Sequence, residues 1–399
     1  MKADFFQLNR DRLAASIHGG VAVFAAYSAM QQSNDASFKF EQEANFWWLC
    51  GIEEPDWLLI IDGSSRKSWL VMPGISDVHQ AFDGSLSPDV AKKTSGVDEV
   101  ISEDEATAIL HDLSKKHSSI YSLGDHPSAK HFDFVINPAQ RNLWVRLGRQ
   151  FSDIRDCRLA LSRLRAIKQP EEVVAIKKAI ELTITAFQDV KIVLPDLKTE
   201  YEVEAEFSYA FRRGGAAGHA YEPIVAVAKN AVTLHYNKNA DTLEDHSLLL
   251  LDIGARHFGY AADITRTYAV GTPTDRQKAV HAAVVRAHLA IIKLLGPGVR
   301  VSDYHESVDV IMKAELSNLG LLNRPEAYRT YFPHAISHGL GIDVHDSLGG
   351  AEIFQPGMVL TVEPGIYIPE EGIGVRIEDD ILITEVGYEN LSARLPISL

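Results

Sequence analysis

The sequence predicts an α+β protein of two domains: a smaller α/β block over residues 1–165, and a larger block over 166–399 that opens with helices and closes with strands. Three observations carry this reading. The 399 residues exceed what one hydrophobic core usually spans. Before residue 165, strand-like apolar runs alternate with helical segments, as in an α/β sheet. After it, apolar runs ending in acids recur in pairs around turn signals, as in β-hairpins.

In the first block, residues 10–17 have helical spacing, and Val21 to Ala25 is a short strand. Trp57 to Asp62 is an apolar run stopped at Gly63, and Ser68 to Met72 is another, stopped by Pro73 and Gly74. Helical segments over 103–116 and 138–150 complete a mixed sheet with its crossovers. Phe46, Trp47 and Trp48 read as core packing, with substrate or partner contact as the alternative. This block shows no catalytic constellation.

Residues 153–167 are arginine-rich and read as a connecting helix or loop. A new helix starts at Lys168, with Pro170 in its first turn and apolar positions at Val173, Ile176, Ile180 and Ile184. Thr199 caps the next, which runs to Arg212. Residues 218–228 read as a strand. Leu248 to Leu251 run into Asp252 without alternation, which marks a strand buried on both faces. After a turn between Gly254 and Gly259, Asp263, Thr265 and Thr267 alternate along the return strand. A turn centred between His257 and Phe258 sets Asp252 opposite Asp263. Helices over 274–295 and 302–319 follow, then strands over 358–363, 374–378 and 381–384.

Composition narrows the function. Hydrophobic residues make up 46%, a normal globular share. A net charge of -15 disfavours nucleic acid or an anionic membrane as partner. Cys50 and Cys157 are too few for a disulfide framework or a zinc cluster and fit a reducing compartment. The first ten residues lack the apolar core of a signal peptide, and no apolar run approaches the roughly 20 residues of a membrane span. The expectation is a cytoplasmic protein.

The acids carry the chemistry. Two carboxylates held together in an apolar setting repel, and burying them unpaired is costly. Alone, Asp252 and Asp263 admit two readings: a metal site, or a solvated strand-end acid with a capping Asp. Glu363 and Glu378 end two further apolar strands, joined through the turn signal Pro369 to Gly372. This second acid-bearing hairpin is hard to explain as surface. His334, His338 and His345 lie within fourteen residues, beside the glycines at 339 and 341. Four carboxylates match the charge of two divalent cations, with His338 adding one nitrogen. Such a set suits Mn²⁺, with Co²⁺ or Zn²⁺ as alternatives, better than a cysteine cage does. Two ions about 3.5 Å apart can share a water, lower its pKa and drive hydrolysis.

The strings LLLDIG, DITRTY, HGLGIDVHD, EPGIYIP and VRIEDD, in this order, resemble the metallopeptidases of the methionine aminopeptidase, aminopeptidase P and prolidase superfamily. The resemblance covers residues 165–399 and implies a pita-bread catalytic fold. FEQEANFWWLCGIEEPD resembles, less sharply, the amino-terminal domain of prolidases and aminopeptidases P, a domain that methionine aminopeptidases lack. The resemblance implies that Asp252, Asp263, His338, Glu363 and Glu378 hold two metal ions, with Asp263 and Glu378 bridging. It implies Glu363 as general base. It places His235 and His345 on the substrate, His334 by the tetrahedral intermediate, and Tyr367 and Arg376 in proton movement. Ile224, Tyr331 and His345 are expected in the proline pocket. The family's Xaa-Pro peptide substrates and homodimers follow as expectations.

The first reading is a dipeptidase cleaving Xaa-Pro. The alternative is an aminopeptidase P acting on longer peptides, and an inactive binding protein on the same fold is the reading from another class. Many prolidases carry an arginine between the third histidine and the first glutamate; residues 346–358 contain neither Arg nor Lys. Ala262 stands where relatives often have serine.

Overall fold

The structure is a computed structural model and describes residues 1–124, 135–322, 324 and 326–399. The chain divides into two compact units, Met1–Leu164 and Arg165–Leu399, and has the expected α+β content. In the first unit six strands form one mixed sheet. Val21–Ala25, Leu58–Asp62 and Lys67–Val71 pair antiparallel at its centre. Glu99–Ile101 adds parallel on one side, and Ser119–Ser122 then Asp153–Asp156 on the other. Val21 to Phe24 are wholly buried, as an unbroken apolar run on a central strand requires. Helix Glu103–Lys116 starts in a Ser102–Glu105 capping box and ends on Lys115 and Lys116, so both ends suit its dipole.

Phe46, Trp47 and Trp48 lie on helix Ala44–Cys50 and are all buried, the core reading. Two elements differ from expectation. The first helix is Ala3–Ser16, because Phe5 and Phe6 belong to its buried face. Residues 153–167 hold strand Asp153–Asp156 as well as helix Arg158–Ala166. A short charged edge strand carries no apolar signal to read.

The second unit opens with helix Pro170–Val193, with Pro170 in its first turn and Ile176, Ile180 and Ile184 buried. Thr199 precedes helix Glu200–Arg213. Strand Ser247–Ile253 pairs with Ile264–Val270, and Ala255–His257 with Tyr260–Ala261. The turn is tighter than expected. Phe258 and Gly259 alone make it, at φ 45 and 80, the positive angles of a two-residue hairpin turn. Asp252 therefore faces Thr265, not Asp263. Side chains alternate along strands, so Asp252, Asp263 and Thr265 still share one face.

Residues 218–228 are not one strand. Gly218–His219 pairs with Ala255 and Arg256, Ile224–Val227 pairs with Leu249 to Asp252, and Tyr221 sits in the break. In the second hairpin, Val359–Val362 pairs with Asp379–Ile383 and Gly365–Ile368 with Ile373–Arg376. Val362 faces Asp379 and Gly365 faces Arg376, so one register runs through the gap and sets Glu363 opposite Glu378. No described helix is long and apolar enough to cross a membrane.

Candidate metal centre

The two hairpins bring their acids to one place. Ligand atoms of Asp252, Asp263 and Glu378 lie within 4.8 Å of one another, as do those of His338, Glu363 and Glu378, and those of Asp263, His338 and His345. Glu378 and Asp263 each belong to two of these groups. Neighbouring donors fix the carboxylates. The Thr265 hydroxyl donates to Glu378 (2.6 Å), and the Asp263 N–H donates to the buried Asp380 (3.2 Å). The Thr361 hydroxyl donates to Glu363 (3.2 Å) and accepts from the His338 N–H (3.1 Å). His338 Nδ1 lies 2.9 Å from the Gly339 carbonyl, so Nδ1–H donates to it and Nε2 is the nitrogen turned to the acids. That Nε2 is 3.4 Å from both Asp263 and Glu363.

Arg376 is buried among the acids. It donates to Asp252 (2.5 Å), to the Thr265 hydroxyl (3.0 Å) and to the Tyr367 oxygen (2.9 Å). The Tyr367 hydroxyl in turn donates to His334 Nε2 (2.9 Å), because His334 Nδ1 is turned to the Ala335 carbonyl (2.7 Å). Arg376, Tyr367 and His334 thus form a hydrogen-bonded line from Asp252 to the neighbourhood of Glu363, 3.6 Å from His334. His235 is exposed and stands outside the three ligand groups. His345 is exposed too, its ring 4.3 Å from that of His338. Ile224 pairs with Asp252, while Tyr331 packs into the core with its hydroxyl on Glu370.

Residues 174–385 match the model of metallopeptidase family M24, and residues 6–121 match the amino-terminal domain of aminopeptidase P. The chain belongs to metallopeptidase family M24. It is 32% identical to the Xaa-Pro aminopeptidase of Escherichia coli over 97% of this chain and 94% of that one. It is 29% identical to the human Xaa-Pro dipeptidase over 97% of this chain and 90% of that one. Among solved structures, aminopeptidase P from E. coli with the inhibitor Pro-Leu superposes with a TM-score of 0.85 at 30% identity. That match covers 100% of this chain and 96% of the other. Proline aminopeptidase P II from Yersinia pestis gives 0.85 at 32%, covering 100% and 98%. The catalytic unit therefore has the pita-bread fold of these neighbours.

The electrostatics of this M24 centre call for cations. Burial and the charges of Asp263, Glu363 and Asp252 push Glu378 well above the usual carboxylate range. Burial lifts Asp252 to about 6 against the opposing pull of Arg376, and lifts Glu363 to about 7 against that of His338 and Arg376. Burial also opposes charge on His338, but its bond to Asp263 and the charge of Glu363 outweigh this and raise it to about 9. The buried acids thus hold more negative charge than the surrounding side chains offset. An oxygen-rich set with one imidazole fits hard or borderline divalent ions.

The count of charges differs from the sequence reading, because Arg376 cancels one of the four carboxylates. One divalent ion leaves the remainder under-compensated. Sequence reasoning also missed Tyr221. Its hydroxyl lies 2.5 Å from Asp252 and 2.6 Å from Asp263, and joins the two acids that the turn had set out of line. Its one signal was its place in a broken strand, two residues before Pro223.

Proposed function

We propose that this M24 metallopeptidase is a dinuclear Xaa-Pro aminopeptidase, releasing the first residue from peptides whose second is proline. Hydrolysis rests on the buried cage of four carboxylates and one imidazole. The choice of the longer substrate, against the dipeptidase first expected, rests on the relatives: Xaa-Pro aminopeptidases match at 32% identity, the human dipeptidase at 29%. The absence of Arg and Lys from residues 346–358 points the same way, since a free proline carboxylate needs a cationic grip.

Asp252, Asp263, His338, Glu363 and Glu378 would hold two divalent ions, Mn²⁺ being favoured. When bound, the ions polarise the scissile carbonyl and acidify a water. An Xaa-Pro bond lacks the N–H that ordinary proteases grip, so activation through its carbonyl suits it. Glu363 takes the proton of the attacking water and delivers it to the leaving proline nitrogen. His235 and His345 contact the substrate, and His334 orients the Tyr367 hydroxyl beside the tetrahedral intermediate. The line from Arg376 through Tyr367 to His334 keeps a proton path beside Glu363. The free, buried thiols of Cys50 and Cys157 support a cytoplasmic setting.

The test uses the purified chain with Mn²⁺ on Leu-Pro and on a Leu-Pro-Xaa tripeptide. Leucine should leave the tripeptide much faster than the dipeptide, and chelator should abolish both reactions. Cleavage of Leu-Pro alone restores the dipeptidase. Cleavage of neither by metal-loaded protein restores the binding protein.

A further inference from the structure

The segment 228–241 carries His235, and its only regular structure is the short 3-10 stretch Ala228–Val232. One side chain nevertheless ties it down. Glu200, in the first turn of helix Glu200–Arg213, is wholly buried. Its Oε1 accepts from the Val227 N–H (2.8 Å) and from Asn230 Nδ2 (2.9 Å). Its Oε2 accepts from the Tyr236 hydroxyl (2.8 Å) and the Asp241 N–H (2.9 Å). The Glu200 N–H closes the ring by donating to the Asp241 carbonyl (3.0 Å).

These four donors are neutral. A buried carboxylate left unbonded costs several kcal/mol, and bonds to a charged acceptor are roughly twice as strong as neutral ones. The group is therefore held firmly, and so is whatever donates to it. The donors come from both ends of the segment and from Tyr236, the residue after His235. The Thr233 N–H to the Asn230 carbonyl (3.0 Å) and the Tyr236 N–H to the Thr233 carbonyl (3.2 Å) fix the backbone between them.

We propose that Glu200 is a positioning residue for His235: its carboxylate pre-orders the segment, so that the imidazole meets the substrate without paying for loop ordering at that moment. The proposal rests on the substrate contact assigned to His235. Among the described residues, none of the hydrogen bonds of Glu200 goes to one of the five proposed ligand residues, so metal loading should be independent of it.

The test is a double-mutant cycle of Glu200→Gln and His235→Ala, on Leu-Pro-Xaa at saturating Mn²⁺, with metal content measured in each variant. Gln keeps the shape but turns an NH₂ group towards two of the four donors. E200Q should raise KM and lower kcat/KM about tenfold, with metal content unchanged. In the H235A background the same change should cost less than about twofold, because the residue it positions is gone. Tyr236→Phe, which removes one donor and spares the rest, should behave alike at about threefold, and it carries the test if E200Q does not fold. Losses that multiply in the double variant overturn the proposal, as does activity that falls in step with bound Mn²⁺. If H235A alone changes nothing, the substrate contact falls first and the positioning role with it.

Discussion

Tyr221 lies against two carboxylates that share no backbone pairing, and its hydroxyl has a single proton for both. It holds the cage in shape before any cation arrives. Tyr221→Phe should weaken Mn²⁺ binding about 10- to 100-fold, the usual cost of losing an outer partner of a ligand; titration calorimetry of the metal-free protein checks this. An unchanged affinity would show that the strands alone set the geometry. At saturating Mn²⁺, where the amide oxygen can still coordinate, Glu363→Gln should lower kcat by roughly 10²- to 10⁴-fold, as loss of a general base does; tripeptide turnover with metal analysis separates this from weakened metal binding. The acids themselves were legible because Asp252, Glu363 and Glu378 end apolar runs and Asp263 opens an alternating one. Tyr221 was not, because a tyrosine in a broken strand looks like packing until its hydroxyl is placed.

At the scale of elements, the first hairpin depends on how closely its strands approach at Gly254. A Cβ there would lie 1.8 Å from the Ala262 carbonyl oxygen. Gly254→Ala should destabilise by about 2–3 kcal/mol or prevent folding, since backbone cannot give way as a side chain can; thermal melts against wild type measure it. Helix Asp275–Ile292 carries a second liability. His281 is buried on it, its Nε2 without a hydrogen-bond partner among the described residues, and burial lowers its pKa from 6.5 to about 4. The unfolded chain therefore takes up this proton first as pH falls. Stability from His281 is full above pH 6.5 and drains away towards pH 4. Tm measured across that window should fall, and His281→Leu should flatten the slope. The hairpin was legible in outline, from its alternating residues and glycines. Its register was not, because moving the turn centre by one residue shifts the partner by two, which leaves every side chain on the same face and the same pattern of apolar and polar positions.

At the scale of the whole molecule, the two units should answer differently to metal. All five proposed ligand residues lie in Arg165–Leu399. Mn²⁺ at about 100 times its Kd should stabilise that unit by about 2.7 kcal/mol, and chelator should remove the gain, while Met1–Leu164 stays indifferent. Calorimetry with and without chelator should show one transition that moves and one that does not. A scan in which neither moves would contradict the cage.

The sequence by itself determined the class of fold and the acid-bearing strands, since apolar periodicity and strand-end acids are local properties of the chain. Tertiary structure alone decided which acids sit side by side, that Arg376 enters the cage and removes one charge, that Tyr221 links Asp252 to Asp263, and that Glu200 holds the segment bearing His235. Those facts depend on residues distant in sequence meeting in a water-poor interior. There each unpaired charge is costly, and a partner's distance, which no spacing in the chain encodes, sets the energy.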